Sequence, residues 1–254
     1  MKKIICVLVI AIVLILVGFY FYPKAKPEVV EGDISNIENE ADVKTVLEEE
    51  TEDKVDNKLS NEEMYSKVID DYKNASKEID LEDFDSIEKA GSKYELVNTL
   101  LIEHVKRYSE QGVALTYEYY DIDKNGVDEL IMGASGAPGA IYSYDKNDSK
   151  AVKIFFQDTM ERGDLSIYDN GVILSSGAGG AMLHIYEFGK ISEEDTAYTI
   201  LEKVEEEYEE GKEVPTYKDA STNKVLSYKS YDELVEKYLE NASKVELKDY
   251  QEVK

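Results

Sequence analysis

The sequence has few of the residues that build disulfides, zinc sites and nucleic-acid interfaces. Its one cysteine, Cys6, excludes a disulfide within the chain. Its two histidines, His104 and His184, have no second histidine or cysteine at ligand spacing, so a zinc site is not expected. Basic residues number 29 against 55 acidic ones, and the formal net charge is −26. This balance argues against binding to nucleic acid and against direct docking on anionic lipid.

Tryptophan is also absent, whereas tyrosine occurs 20 times. A core built largely from tyrosine, isoleucine, leucine and valine is therefore expected. The motifs of common enzymes are incomplete. The segment Gly133-Ala134-Ser135-Gly136-Ala137 lacks the last glycine of a nucleophile elbow, and Pro138 follows in place of a helix. We interpret this segment as a loop near the ion site described below, where it would form part of a binding rim.

A second glycine-rich segment, Gly177-Ala178-Gly179-Gly180, lacks the Gly-Lys-Ser/Thr ending of a phosphate-binding loop, and we interpret it as a flexible hairpin. Carboxylate pairs suited to acid–base catalysis could lie anywhere among so many acidic residues. The sequence therefore singles out no catalytic residue. A protein that is not an enzyme is favoured, but the sequence leaves both possibilities open.

Residues 4–22 form an uncharged, apolar segment that is long enough, as a helix, to span a bilayer. Two interpretations remain open, a cleaved signal sequence and an uncleaved anchor. We favour a transmembrane anchor over residues 1–22, because no pair of small residues fits a cleavage site. Cys6 lies too near the start for lipoprotein attachment. Lys2 and Lys3 mark the cytoplasmic side, so a single-pass cell-membrane protein with an extracytoplasmic domain is expected.

Residues 23–59 are acidic and contain no aromatic residue. Such a segment buries too little apolar surface to offset the entropy of ordering, so we expect a disordered stalk. The folded, extracytoplasmic part is then residues 60–254. It opens with a capping box, in which Ser60 is followed three residues later by Glu63. A second capping box, Ser230 with Glu233, predicts a helix near the end of the chain.

Between these boxes, the apolar period changes from helical to alternating near residue 114. We expect a first helix after Ser60, a short helix or loop over residues 81–90, and a helix over 93–108 with Leu96, Leu100 and Val105 facing the core. Closely spaced strands separated by turn residues then predict an antiparallel meander. Residues 199–210 suit a strand or a helix. The predicted fold class is α+β, with N-terminal helices, an antiparallel β-meander and a C-terminal helix, preceded by a transmembrane helix. The candidate strands are 114–120, 129–134, 140–144, 151–156, 164–168, 172–176, 182–188 and 197–208.

One segment carries a specific chemical signal. An aromatic strand runs into a loop with oxygen side chains at alternate positions, and a second apolar strand leaves it. Such oxygens can converge on a hard cation such as calcium. Gly126 would allow the left-handed backbone that so sharp a turn needs. Asp, Asn and Gly are also ordinary turn residues, so a metal-free turn remains an alternative. The predicted ligands are the side chains of Asp121, Asp123, Asn125 and Glu129 and the main-chain carbonyl of Val127.

The first half of this loop resembles an EF-hand loop, but Met132 stands at the closing glutamate position and the flanks are strand-like. The loop more closely resembles the calcium hairpin of FG-GAP and integrin-type repeats, with Asn125 and Glu129 in place of two aspartates. More broadly, residues 94–186 resemble a group of uncharacterised Gram-positive bacterial surface proteins and lipoproteins, which have a helical lead-in, a hairpin of this kind and a β-meander. The resemblance implies a calcium site and no particular activity.

These observations favour a membrane-anchored extracytoplasmic surface protein that binds calcium and presents a surface to an unknown protein or cell-wall partner. Two alternatives remain. One is a cell-envelope hydrolase that uses a carboxylate pair, and the other is a regulatory partner of another membrane protein. A deep pocket with two facing carboxylates of raised pKa would favour the hydrolase. An exposed face with tyrosines around Tyr142 and Tyr144 would favour the binding protein.

Overall fold

The computed structural model describes residues 59–192, 196–212 and 214–254. The predicted anchor, residues 1–22, and the predicted stalk up to residue 58 lie outside these ranges. Within them, no helix is both long enough and apolar enough to cross a membrane. The described residues belong to one compact unit, and their fold is α+β, as predicted.

The described residues form four α-helices, three before the strands and one after most of them. Helix α1 begins where predicted. The Ser60 hydroxyl accepts a hydrogen bond from the Glu63 N–H at 3.3 Å, and the Glu63 carboxylate accepts one from the Ser60 N–H at 2.9 Å. A short 3₁₀ turn, Ser109–Gln111, follows the third helix. The helices are α1 (Asn61–Glu78), α2 (Phe84–Lys93), α3 (Thr99–Tyr108) and α4 (Tyr231–Leu239).

The second predicted capping box is only half formed. Ser230 accepts a hydrogen bond from the Glu233 N–H at 3.3 Å, so it caps α4 as expected. The Glu233 carboxylate, however, accepts from the N–H of Lys229 at 2.8 Å. The second hydrogen bond of this cap therefore comes from the N–H of Lys229 instead of the N–H of Ser230.

Ten strands within the described residues form two antiparallel five-stranded sheets. Sheet A has the order β10-β1-β2-β3-β4, and sheet B has the order β5-β6-β7-β8-β9. The strands are β1 (Leu115–Tyr120), β2 (Glu129–Ala134), β3 (Ala137–Asp145), β4 (Lys150–Phe156), β5 (Gly163–Ile167), β6 (Ile173–Gly180), β7 (Leu183–Ile191), β8 (Tyr198–Glu207), β9 (Thr216–Asp219) and β10 (Gln251–Glu252).

The two sheets and the helices stack in four layers with three apolar cores between them. Helices α1 to α3 pack on one face of sheet A, where Leu130 and Met132 are buried. The opposite face of sheet A packs on sheet B around Ile131 and Leu165. Helix α4 covers the outer face of sheet B, where Leu234 is fully buried. Alternate residues of β2 thus supply two different cores, as the period of a strand requires.

Several expectations about the helices and strands are wrong in detail. The helix expected over 93–108 begins only at Thr99. Asn98, just before it, instead donates its side-chain amide to the carbonyls of Gly139 and Gln157. Leu100 is 43% exposed, so it does not face the core. The single meander is two sheets, because the chain leaves sheet A after β4. Residues 199–210, ambiguous in sequence, fall largely within strand β8.

Both glycine-containing motifs also differ from expectation. Ser135 and Gly136 form the tight turn between β2 and β3, with φ angles of 48° and 86°. This turn is at the far end of β2 from the predicted ion loop, so our placement of it near the ion was wrong. The segment Gly177–Gly180 belongs to strand β6 rather than to a flexible hairpin. Its role is considered below.

Candidate metal centre

The predicted ligand loop connects β1 to β2, and side chains hold its backbone from within. The Asp123 carboxylate accepts from the Asn125 N–H at 3.0 Å, and the Asn125 side-chain oxygen accepts from the Val127 N–H at 2.8 Å. These are turns of the type that Asp and Asn form with their own backbone. Gly126 has φ 82°, which confirms the left-handed conformation predicted for it. Lys124, with φ 65°, is a second left-handed position that was not predicted.

Three carboxylates of this loop converge. One oxygen from each of Asp121, Asp123 and Glu129 lies within 4.8 Å of the other two. Asp121 Oδ2 accepts a hydrogen bond from the Gly126 N–H at 3.1 Å. Asp121 Oδ1 is buried and has no hydrogen-bond partner among the residues that the structure describes. A buried carboxylate oxygen without a partner is costly, and a cation is the partner that best offsets this cost. The cluster could therefore hold a metal ion.

Glu129 is the deepest member of the cluster and is fully buried. It is the first residue of β2, and its side chain points toward the space between the sheets. Its two oxygens accept hydrogen bonds from the Ile122 N–H and the Ser143 hydroxyl, both at 2.9 Å. Loss of hydration raises the pKa of Glu129 to about 7, and the nearby charges of Asp123 and Asp121 act in the same direction. The two hydrogen bonds oppose this rise only in part.

The remaining predicted ligands, Asn125 and the carbonyl of Val127, lie in the same loop. The Asn125 amide nitrogen donates to the Asp123 carboxylate at 2.9 Å, so its side chain already borders the cluster. Its oxygen accepts from the Val127 N–H and retains a second lone pair. The Asn125 side chain and the Val127 carbonyl therefore remain predictions as metal ligands.

Sequence reasoning missed the residues that support this loop from outside. Ser143, on β3, is buried next to Glu129, and a serine on an otherwise apolar buried strand was the available signal. Asn61 and Tyr65 of α1 both bond Asp128: the Asn61 amide donates to its carboxylate at 2.7 Å, and the Tyr65 hydroxyl donates to its carbonyl at 2.8 Å. Nothing in the local sequence of the loop indicates these distant partners.

The ammonium of Lys124 folds back over the same loop. It donates to the Tyr120 hydroxyl and to the Asp121 carbonyl, both at 3.0 Å, and lies 4.4 Å from the centre of the Tyr120 ring. The turn between β5 and β6 packs on the other side, since a Cβ on Gly171 would come within 3.1 Å of the Ile122 carbonyl. Contacts from α1 and sheet B therefore hold the hairpin loop in place.

The other candidate residues lie elsewhere. His104 is on α3 and His184 is on β7, and neither belongs to the carboxylate cluster. The Ser135 hydroxyl accepts a hydrogen bond from the Ala114 N–H at 3.0 Å, which is a structural role at the end of a hairpin. Three carboxylates on one hairpin thus remain the candidate site. Comparison of the chain with protein-family models, with curated proteins and with solved structures finds no match.

Proposed function

We propose that this chain is a membrane-anchored, extracytoplasmic surface protein that binds calcium at the β1–β2 loop, presents a surface to a protein or cell-wall partner and has no catalytic activity of its own. The observation that carries the calcium site is the convergence of Asp121, Asp123 and Glu129, together with the buried oxygen of Asp121 that has no partner within the described part of the chain. The Asn125 side chain and the Val127 carbonyl complete the proposed ligand set. All donors are oxygens, the type that calcium prefers.

Calcium suits this site better than magnesium. Five protein oxygens on one loop approach the six to eight that calcium takes. Magnesium demands near-octahedral geometry and keeps several of its waters, which the buried position of Glu129 would hinder. Extracellular calcium modules bind with dissociation constants of about 10⁻⁴–10⁻³ M, and such a site would be filled outside the cell.

The position of Glu129 favours a ligand over a catalytic acid or base. A general acid or base must reach the substrate within hydrogen-bonding distance. Glu129 is fully buried, and both of its oxygens are engaged by Ile122 and Ser143. Its raised pKa arises from burial and from two neighbouring carboxylates, which is the electrostatic situation of a cation site without its cation.

The calcium site is tested by thermal melting of the full chain with calcium, with magnesium and with a chelator. Calcium at about one hundred times its dissociation constant should stabilise the folded state by ~2.7 kcal/mol. Asp121→Ala and Asp123→Ala should each abolish this calcium-dependent rise. Asp145→Ala is the matched control, because Asp145 makes the same kind of turn contact, to the Asn147 N–H at 2.8 Å, in another hairpin of sheet A. A wild-type melt that ignores calcium at about 10 mM, roughly ten times the weakest expected dissociation constant, would reject the site.

The membrane part of the proposal rests on the apolar segment at residues 4–22 and on the lysines before it. N-terminal sequencing of protein taken from its native membrane tests it directly. An uncleaved anchor leaves the chain intact from residue 1. A mature chain that begins between Phe19 and Glu28 would show a cleaved signal sequence instead. The calcium experiment does not depend on this result.

A further inference from the structure

The space between the two sheets opens at one end into a groove of about 360 Å³, formed by the end of β4 and by strands β6 to β8. The metal loop contributes no residue to its lining. This volume lies within the range of small-molecule sites, roughly 300–1,000 Å³. The groove therefore has room for a small ligand.

Strand register explains why the sheets do not fill this end of their interface. Leu165 belongs to the core between the sheets and pairs with Ser175, which in turn pairs with Glu187. Paired residues of antiparallel strands point to the same face, so the same inward face carries every second residue of β6. After Ser175, the next of these residues is Gly177, where the apolar side chain that fills the interface elsewhere is missing. Beyond it, the pairing of β6 with β7 is irregular at Gly179, and the Leu183 side chain covers that position.

Gly177 has no steric reason to be glycine. Among the described residues, a Cβ built on it would meet no atom closer than 3.6 Å, and its backbone is not left-handed. Gly163 differs, because a Cβ there would lie 2.3 Å from the Gln157 amide nitrogen. A glycine inside a strand weakens the strand and often marks a place where a ligand approaches the backbone closely. Because Gly177 has no side chain, it leaves this part of the groove open.

Polar groups in the groove are already held in place by one another. Gln157 is 3% exposed, and its side-chain oxygen accepts from the Ser175 hydroxyl at 2.9 Å. Glu187 is 8% exposed and accepts from the Lys203 ammonium at 2.7 Å. The groove therefore offers carboxylate, amide, hydroxyl and ammonium groups side by side, with Phe155 and Ile185 as apolar walls. Fixed polar groups between apolar walls are the usual composition of a ligand site.

The charges of these groups decide the class of ligand. Glu187 and Lys203 neutralise each other at the floor of the groove, and the exposed Asp158 at its edge adds one negative charge, which disfavours an anionic ligand. The chain as a whole carries −26 and repels anions. A sugar hydroxyl both donates and accepts hydrogen bonds, so neighbouring hydroxyls match such a mixed set of groups. The C–H face of a sugar ring can at the same time pack on an aromatic wall such as Phe155.

We propose that this groove binds a short, neutral carbohydrate, which would make the partner of this surface protein a glycan. The inference deepens the partner-binding part of the proposed function but uses none of the metal ligands. Loss of calcium binding in Asp121→Ala would therefore leave carbohydrate binding testable on its own. Conversely, absence of carbohydrate binding would leave the calcium site unaffected.

Binding is measured by calorimetry and saturation-transfer NMR on the full chain in a detergent that contains no sugar. The probes are maltotriose, cellotriose and chitotriose, with spermidine as a cationic probe and inorganic phosphate as an anionic one. At least one trisaccharide should bind, with saturation transferred to the C–H protons of its rings. Gly177→Val, which fills the groove, and Glu187→Gln, which disrupts the Lys203 pair, should each weaken binding about tenfold or more.

Gly91→Ala is the matched control, since a Cβ there also makes only ordinary contact, at 3.5 Å, and Gly91 is on α2. It should bind the trisaccharide like the wild type. If Gly177→Val does not fold, Gly177→Ala takes its place. The proposal is overturned if the folded wild type binds no trisaccharide at about ten millimolar. It is equally overturned if spermidine or phosphate is the only probe that binds, or if the Gly177 variants bind like the wild type.

Discussion

The side-chain amide of Asn61 donates a hydrogen bond to the carboxylate of Asp128 at 2.7 Å, which joins the first turn of helix α1 to the β1–β2 hairpin. A hydrogen bond to a charged group contributes roughly 1.5–3 kcal/mol. Asn61→Ala should therefore lower the free energy of unfolding by about 1–2 kcal/mol in denaturant titration. A double-mutant cycle with Asp128→Ala should show a coupling of at least ~0.5 kcal/mol.

The control for this cycle is Ser66→Ala, in the same helix. The Ser66 hydroxyl is exposed and bonds only the Glu63 carbonyl within the described contacts, and alanine is a better helix former. Ser66→Ala should thus leave stability within about 0.5 kcal/mol of the wild type. Additive effects of Asn61→Ala and Asp128→Ala would contradict a direct contact between the two residues.

Glu129 should make the metal-free protein less stable as the pH rises. The folded-state pKa of Glu129 is about 7 against an ordinary value of 4.5, so between these values the folded state binds the proton more tightly than the unfolded state. Its contribution to stability is therefore present below pH 4.5 and is lost as the pH rises through about 7. The loss should amount to roughly 3 kcal/mol. Calcium affinity should rise over the same window, because the ion binds the ionised carboxylate.

Glu129→Gln separates this effect from the packing of the site. The glutamine oxygen can accept from the Ile122 N–H and its amide can donate to the Ser143 hydroxyl, so the shape and both contacts are kept. In the presence of a chelator at pH 8, this variant should melt above the wild type. With calcium, the order should reverse, because the variant lacks one ligand charge. A variant that melts below the wild type in both conditions would show that the charge of Glu129 stabilises the metal-free fold.

Tyr142 should contribute strongly to the contact between the helices and sheet A. Its hydroxyl donates to the Leu96 carbonyl and lies 2.9 Å from the Tyr72 hydroxyl, which accepts from the Asn98 N–H at 3.0 Å. Tyr142→Phe removes the hydroxyl that donates to the Leu96 carbonyl and leaves the Tyr72 hydroxyl with Asn98 as its remaining partner, so it should cost about 1–3 kcal/mol. Tyr250→Phe, at a side chain that is 42% exposed, should change stability by less than about 0.5 kcal/mol. Equal effects of the two substitutions would contradict a hydrogen-bonded chain.

Alkaline pH should destabilise the protein through the same tyrosines. Burial raises the pKa of Tyr72 and of Tyr142 above the ordinary value of 10, whereas in the unfolded chain both titrate near that value. The folded state therefore holds more protons above pH 10, and stability is lost as the pH rises beyond it. Denaturant titrations at about pH 9 and pH 11 measure the loss. Tyr142→Phe should reduce its slope; an unchanged slope would show that other groups cause it.

The sequence predicted the structural features that depend on residues close together in the chain. It did not predict the contacts between residues that are distant in the chain. The cap of α1 and the convergence of Asp121 with Asp123 follow from short spacings that fix local geometry. Alternation along a strand predicts which residues share a face, but it does not say which strands pair. The division into two sheets was therefore not predicted. Strand β10 has only two residues and pairs with β1 from the far end of the sequence. Ser143 reaches Glu129 only because β3 returns beside β2.

The contacts of Asn61 and Tyr65 with Asp128 also have a mechanical consequence. Any tension that reaches this domain along the chain from the residues before Ser60 enters at the first turn of α1. Both contacts connect the start of α1 to the residue just before Glu129, so part of the pull is passed directly to the β1–β2 hairpin. An ion bound by the carboxylates of this hairpin would hold the β1–β2 loop together at the point where the load arrives. Its removal would lower the force at which the domain begins to open.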